Sequence, residues 1–76
     1  MNEKELITRI KDLYPDAEIT VAGENCSFEV NVTTPAFAEM KSLQRQRSIL
    51  TLFNTEIASG ELHALTVKAK TPQEQQ

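Results

Sequence analysis

Between Gly60 and Pro72 the chain runs Glu61-Leu62-His63-Ala64-Leu65-Thr66-Val67-Lys68-Ala69-Lys70-Thr71, an alternating stretch bounded by a helix-stopping glycine and a proline. It reads as a last β-strand, closing the one sheet a molecule this small can build. His63, Leu65, Val67 and Ala69 share one face, and Leu62, Ala64, Thr66 and Lys68 share the other. The single histidine of the protein therefore stands at the strand's first inward position, in phase with apolar residues. A residue so placed is either a core member with satisfied nitrogens or a ligand.

The rest of the chain supplies partners for that strand. Asn2 caps a first helix, with Glu5 three residues on, and Leu6, Ile7, Ile10 and Leu13 form its buried stripe. Tyr14-Pro15 ends it. The face bearing Lys4, Arg9, Lys11 and Asp12 reads as solvated. Glu18 to Ala22 and Ser27 to Thr33 alternate as strands, with Ile19, Val21, Phe28, Val30 and Val32 inward. Gly23-Glu24-Asn25 supplies the turn of a hairpin, with Cys26 at its tip. Thr34-Pro35 opens a short helical turn through Phe37. Ser42 is a second candidate cap, and Leu43 to Ile57 reads as one helix presenting Leu43, Ile49, Leu50, Phe53 and Ile57. Thr71-Pro72-Gln73-Glu74 has the form of a capping box, announcing a helix that the chain then lacks the length to build, within a short tail over 71–76.

The expected fold is thus a single α/β (α+β) domain over residues 1–76, in the order α-β-β-α-α-β with a three-stranded mixed sheet. The expected core holds Leu6, Ile10, Val21, Phe28, Val30, Leu50, Phe53, Leu65 and Val67. The first two strands are antiparallel. A helical crossover makes the second and third parallel. Parallel strands begin at the same end of a sheet, so topology brings Cys26 and His63, the only Cys and the only His, to one edge. Neighbouring strands would put the backbones about 4.8 Å apart there.

Size and charge narrow the function. A chain of 76 residues buries only about 60 % of the surface its unfolded form exposes, so a shallow or shared site suits it better than a deep cleft. The net charge of −3 does not suit a general nucleic-acid coater. It is unevenly spread, because the five cations Lys41, Arg45, Arg47, Lys68 and Lys70 all fall after residue 40. One cysteine excludes an internal disulfide framework. Neither a secretory leader nor an apolar run near the roughly 20 residues of a membrane span is present, so a soluble cytoplasmic protein is expected.

Phe37, Leu43-Gln44-Arg45-Gln46-Arg47, Leu62-His63-Ala64-Leu65-Thr66-Val67-Lys68-Ala69 and Thr71-Pro72 together resemble the BolA family. The run Val67-Lys68-Ala69-Lys70-Thr71-Pro72 is closest to its IbaG-like branch. The resemblance implies a fold like the type II KH domain. It also implies partnership with a monothiol glutaredoxin and glutathione, sharing a [2Fe–2S] cluster that the isolated chain would not hold. His63 would be one cluster ligand, and Cys26, on the first hairpin loop, a second. The chain departs from the family at Glu39, where Gly is frequent, at Gln46, where His is frequent, and at Ser27, where a loop His is frequent. The family's tryptophan-bearing final helix is also missing.

One thiol and one imidazole cannot close a four-ligand site, so they suit a centre completed from elsewhere, zinc or a mixed-ligand iron–sulfur centre. A Cys-His enzyme is not expected, since no helix N-terminus follows Cys26 to lower its pKa and few glycines are present to build an oxyanion hole. DNA binding, another implication of the family, would use Lys41, Arg45 and Arg47. It would do so without the GxxG clamp of KH domains, since Gly23 and Gly60 are the only glycines. Those cations are otherwise a solvated helix face or a docking surface for an acidic partner. Homodimerisation stays open.

Overall fold

Helix α1 spans Glu3–Leu13, and the Asn2 side-chain Oδ1 accepts the Glu5 amide at 2.9 Å to cap its first turn. Leu6 and Ile10, one turn apart, are fully buried, while Leu13 at the fraying end stays exposed. The computed structural model describes residues 1–24 and 27–75. The Tyr14 ring meets Phe37 edge-on at 4.9 Å. Its hydroxyl donates to Ser48 Oγ at 2.8 Å, so the turn after α1 is tied to the far side of the molecule.

Strand β1 (Glu18–Glu24) pairs antiparallel with β2 (Ser27–Thr33), from Glu18 opposite Thr33 to Glu24 opposite Ser27. The first strand is two residues longer than its alternation predicted, because Gly23 and Glu24 join the ladder rather than the turn. Gly23 adopts φ +106°, and a Cβ there would collide with the Ser27 carbonyl oxygen, so glycine alone permits this close approach. Asn25 and Cys26 lie outside the described residues.

Thr34 caps a 3₁₀ turn over Pro35–Phe37, its Oγ1 accepting the Ala36 amide at 3.2 Å. The expected helix from Leu43 to Ile57 is two. Helix α2 covers Ser42–Leu50, a 3₁₀ turn covers Thr51–Phe53, and α3 covers Asn54–Ser59. The break falls at Thr51, whose hydroxyl donates to the Arg47 carbonyl at 2.7 Å alongside its own amide, a side-chain bond of the kind that bends helices where they tighten. Gly60, at φ +86°, ends α3.

Strand β3 (Ala64–Lys70) pairs parallel with β2, from Ser27 opposite Ala64 to Thr33 opposite Lys70, and the sheet order is β1-β2-β3. The Thr34 amide donates to the Lys70 carbonyl at 3.0 Å, extending the ladder by one bond. Contrary to the expectation that the tail is too short for a helix, a single turn, α4 (Pro72–Gln75), does follow, because its capping box is formed in both directions. The Thr71 amide reaches Glu74 Oε1 at 2.9 Å, and the Glu74 amide reaches Thr71 Oγ1 at 3.2 Å.

The sheet is one-sided. Phe28, Val30, Val32 and Val67 face Leu6, Ile10, Phe37, Ile49, Phe53 and Leu62 across the core, while Thr20, Ser27, Thr66 and Lys68 face solvent. Val21, Leu50 and Leu65 pack at its margin rather than its centre. Leu43 and Ile57 do not join it, being 56 % and 39 % exposed. Leu62, expected on the face opposite His63, is fully buried. Regular strand begins only at Ala64, so the alternation does not extend back to Leu62.

Candidate functional site

His63 is the last residue before β3, exposed, and preceded by a leucine with no solvent contact. The expectation that it might equally be a core histidine is thus corrected, since the pleat that would turn it inward starts one residue later. Its backbone is fixed on both sides. Leu62 is anchored in the core, and Ala64 is in register with Ser27. The strand starts Ser27 and Ala64 lie side by side because β2 and β3 are direct parallel neighbours. This is the end of the sheet at which the sequence predicts both Cys26 and His63; Cys26 itself lies outside the described residues.

At the same end the outer face of the sheet carries a shallow hollow of about 420 Å³, lined by Ala22, Gly23, Ser27, Glu29, Ala64 and Thr66. Short side chains on three adjacent strands leave it open. Its one charged wall, Glu29, is paired with Lys68 at 2.9 Å. Among the described residues no three His, Cys, Asp or Glu side chains gather closely enough to hold a metal ion. Any metal centre at His63 therefore needs donors beyond the described residues, from Cys26 or from another molecule.

The three basic candidates separate. Lys41 and Arg47 are exposed, as a phosphate-binding role would require. Arg45 is not available for one. It is 8 % exposed, its Nε donates to the Met40 carbonyl at 2.9 Å, and Nη1 reaches the Ala69 carbonyl at 3.3 Å and Glu74 Oε1 at 2.6 Å. Its guanidinium lies 5.7 Å from the centroid of the Phe37 ring. The hydrogen bond from Arg45, and next the Thr71 amide, hold the Glu74 carboxyl down to about 2. Arg45 ties α2, β3 and α4 together. Its spacing from Ile49 and Phe53, four and eight residues on, was the signal that it faces inward.

Arg9 likewise leaves the solvated face assigned to it. Its Nη1 and Nη2 hold Glu56 Oε1 and Oε2 at 2.8 and 2.9 Å, with Nη1 also on the Leu52 carbonyl at 3.2 Å. The Arg9 fork holds the Glu56 carboxyl below the usual carboxylate range. None of the described helices is long and apolar enough to cross a membrane.

Comparison with known proteins accords with this architecture. The chain is 35 % identical over 74 residues, covering 97 % of itself and 89 % of the relative, to an uncharacterized protein of the rpoN-murA intergenic region of Acinetobacter guillouiae. Its fold superposes on BolA1 from Arabidopsis thaliana with a TM-score of 0.80, at 24 % identity, covering 93 % of this chain and 92 % of that one. It superposes on the BolA domain of SufE1 from Arabidopsis thaliana with a TM-score of 0.79, at 27 % identity, covering 97 % and 98 %. Residues 8–74, nearly the whole domain from α1 to α4, match the family described as BolA-like protein, and the chain belongs to that family.

Proposed function

We propose that this protein is an accessory protein of iron–sulfur chemistry that supplies part of the ligand set of a [2Fe–2S] cluster. A monothiol glutaredoxin and its glutathione supply the rest. The observation that carries this reading is His63, an exposed imidazole on a backbone held between a fully buried Leu62 and the first paired residue of β3. A ligand needs that combination of a fixed base and a free ring. The donor chemistry fits the group. Imidazole and thiolate are both iron–sulfur ligands, and the set remains incomplete within the described residues, which is the condition for sharing a cluster with a second chain. When bound, the cluster would supply a transferable iron–sulfide unit, and imidazole in place of one thiolate raises its reduction potential. The chain's own part is to present His63 at one sheet end, beside an open face with room for a partner, with Cys26 proposed as its second ligand.

The test is to assemble the cluster on a mixture of this chain with a monothiol glutaredoxin and record visible absorption and circular dichroism. His63→Ala is expected to abolish the histidine-ligated spectrum. Cys26→Ser is expected to perturb that spectrum while leaving some complex, because His63 is held between the buried Leu62 and the first paired residue of β3 and is the less replaceable ligand. An unchanged spectrum from His63→Ala would remove the ligand assignment.

A further inference from the structure

We infer that Arg9, remote from His63 in sequence, and Glu56 are positioning residues for it. This rests on the reading of His63 as a ligand. The segment from Gly60 to His63 must turn the chain from the end of α3 into the start of β3; the Gly60 amide is held by the Ile57 carbonyl at 3.3 Å, and the rest of its bonds converge on Glu56. The Glu56 carbonyl accepts the Leu62 amide at 3.1 Å and the Ser59 hydroxyl at 3.2 Å, and Ser59 Oγ accepts the Glu61 amide at 3.3 Å. Leu62, drawn back by that bond, is buried completely, and His63 follows it directly.

Glu56 is in turn held by its other end. Both carboxylate oxygens are gripped by the Arg9 fork, and the Glu56 side chain is only 13 % exposed. Arg9 is itself steadied by the Leu52 carbonyl and by the fully buried Phe53 ring, whose centroid lies 5.5 Å from the guanidinium. Helix α3 has six residues and buries none of them, so it has little rigidity of its own. Its place is set by α1 through this fork. The backbone path to the ligand therefore runs from Arg9 through the Glu56 side chain, the Glu56 carbonyl and the Leu62 amide to His63. A mere staple between two helices would stabilise the whole fold evenly. A positioning element acts on the 60–63 segment above all.

The experiment compares Arg9→Gln and Glu56→Gln with the unaltered chain by amide hydrogen exchange and by ring relaxation of His63, without any cluster. Exchange at Leu62 is expected to rise about tenfold, with faster His63 ring motion, while the Val30 amide in the central strand changes by much less. The reversed pair, Arg9→Glu with Glu56→Arg, should recover part of the Leu62 protection. With glutaredoxin and cluster, Arg9→Gln should weaken the histidine-dependent dichroism that His63→Ala removes. Equal acceleration at Leu62 and Val30 would reduce the pair to general stability, and no change at Leu62 would dismiss it altogether. Should His63→Ala leave the mixed complex unaltered, the ligand reading fails, yet the exchange data still report whether Arg9 and Glu56 hold that segment.

Discussion

A guanidinium in the interior is tolerable only if its donors are matched, and Arg45 meets that condition with the Met40 and Ala69 carbonyls and the Glu74 carboxylate. Arg45→Met keeps the volume and the apolar stem but strands the two carbonyls, so it should cost about 2 kcal/mol of unfolding free energy, measured by denaturant titration. Arg47→Ala, at an exposed position of the same helix, should stay within about 0.5 kcal/mol. Equal effects from the two would contradict the burial of Arg45. This distinction was only partly legible in the sequence. Arg45, Ile49 and Phe53 share one helical stripe, but Leu43, Leu50 and Ile57 share another, and apolar character alone favours the second. What decides it is Glu74, which lies 29 residues further on and becomes a partner only once the fold exists. The exposure of His63 was hidden for a related reason. Alternation predicts facing only inside a strand, and β3 begins at Ala64.

Capping and turn chemistry made most of the elements readable in advance: Asn2, Thr34, Gly60 and the Thr71–Glu74 box all do what their residue types imply. The break between α2 and α3 was not readable, since no glycine or proline marks it and the Thr51 hydroxyl acts through a local bond to the backbone. Gly23 shows how strict one such position is. Gly23→Ala would force a side chain into φ +106° and against the Ser27 carbonyl, costing about 2 kcal/mol and loosening the hairpin, with denaturation and Ser27 amide exchange as readouts. Helix α4 offers a pH dependence. The folded pKa of Glu74, about 2, lies below its ordinary 4.5. The carboxylate therefore adds stability that is fully present above pH 4.5 and is lost as pH falls from there through 2. Protection of the Thr71 amide should decline over that window. Glu74→Gln should lack this decline and show a weaker α4 turn already at neutral pH.

At the level of the whole molecule, the sheet order β1-β2-β3 and its single buried face follow from the order of the strands and connection rules, with β2 central because it alone pairs both ways. Charge is where the folded molecule differs most from its sequence. Of the cations after residue 40, Arg45 is internal and Lys68 is engaged by Glu29, so the three cations expected along this helix reduce to two exposed ones, Lys41 at the N-cap of α2 and Arg47 in its last turn. A counterion-release slope scales with the number of phosphates neutralised, about 0.9 per contact on duplex DNA. Three contacts, as the sequence would have it, give roughly −2.7, whereas the two left exposed give roughly −1.8. If the isolated chain binds duplex DNA at all, the binding should be weak, with a log–log slope near that smaller value between low and physiological salt. Joint Lys41→Glu and Arg47→Glu substitution should remove the binding without unfolding the protein, since both side chains are exposed. A slope steeper than about −4, or tight binding indifferent to salt, would mean that a second basic surface, including Lys70 on β3, takes part and that the two-cation footprint is wrong.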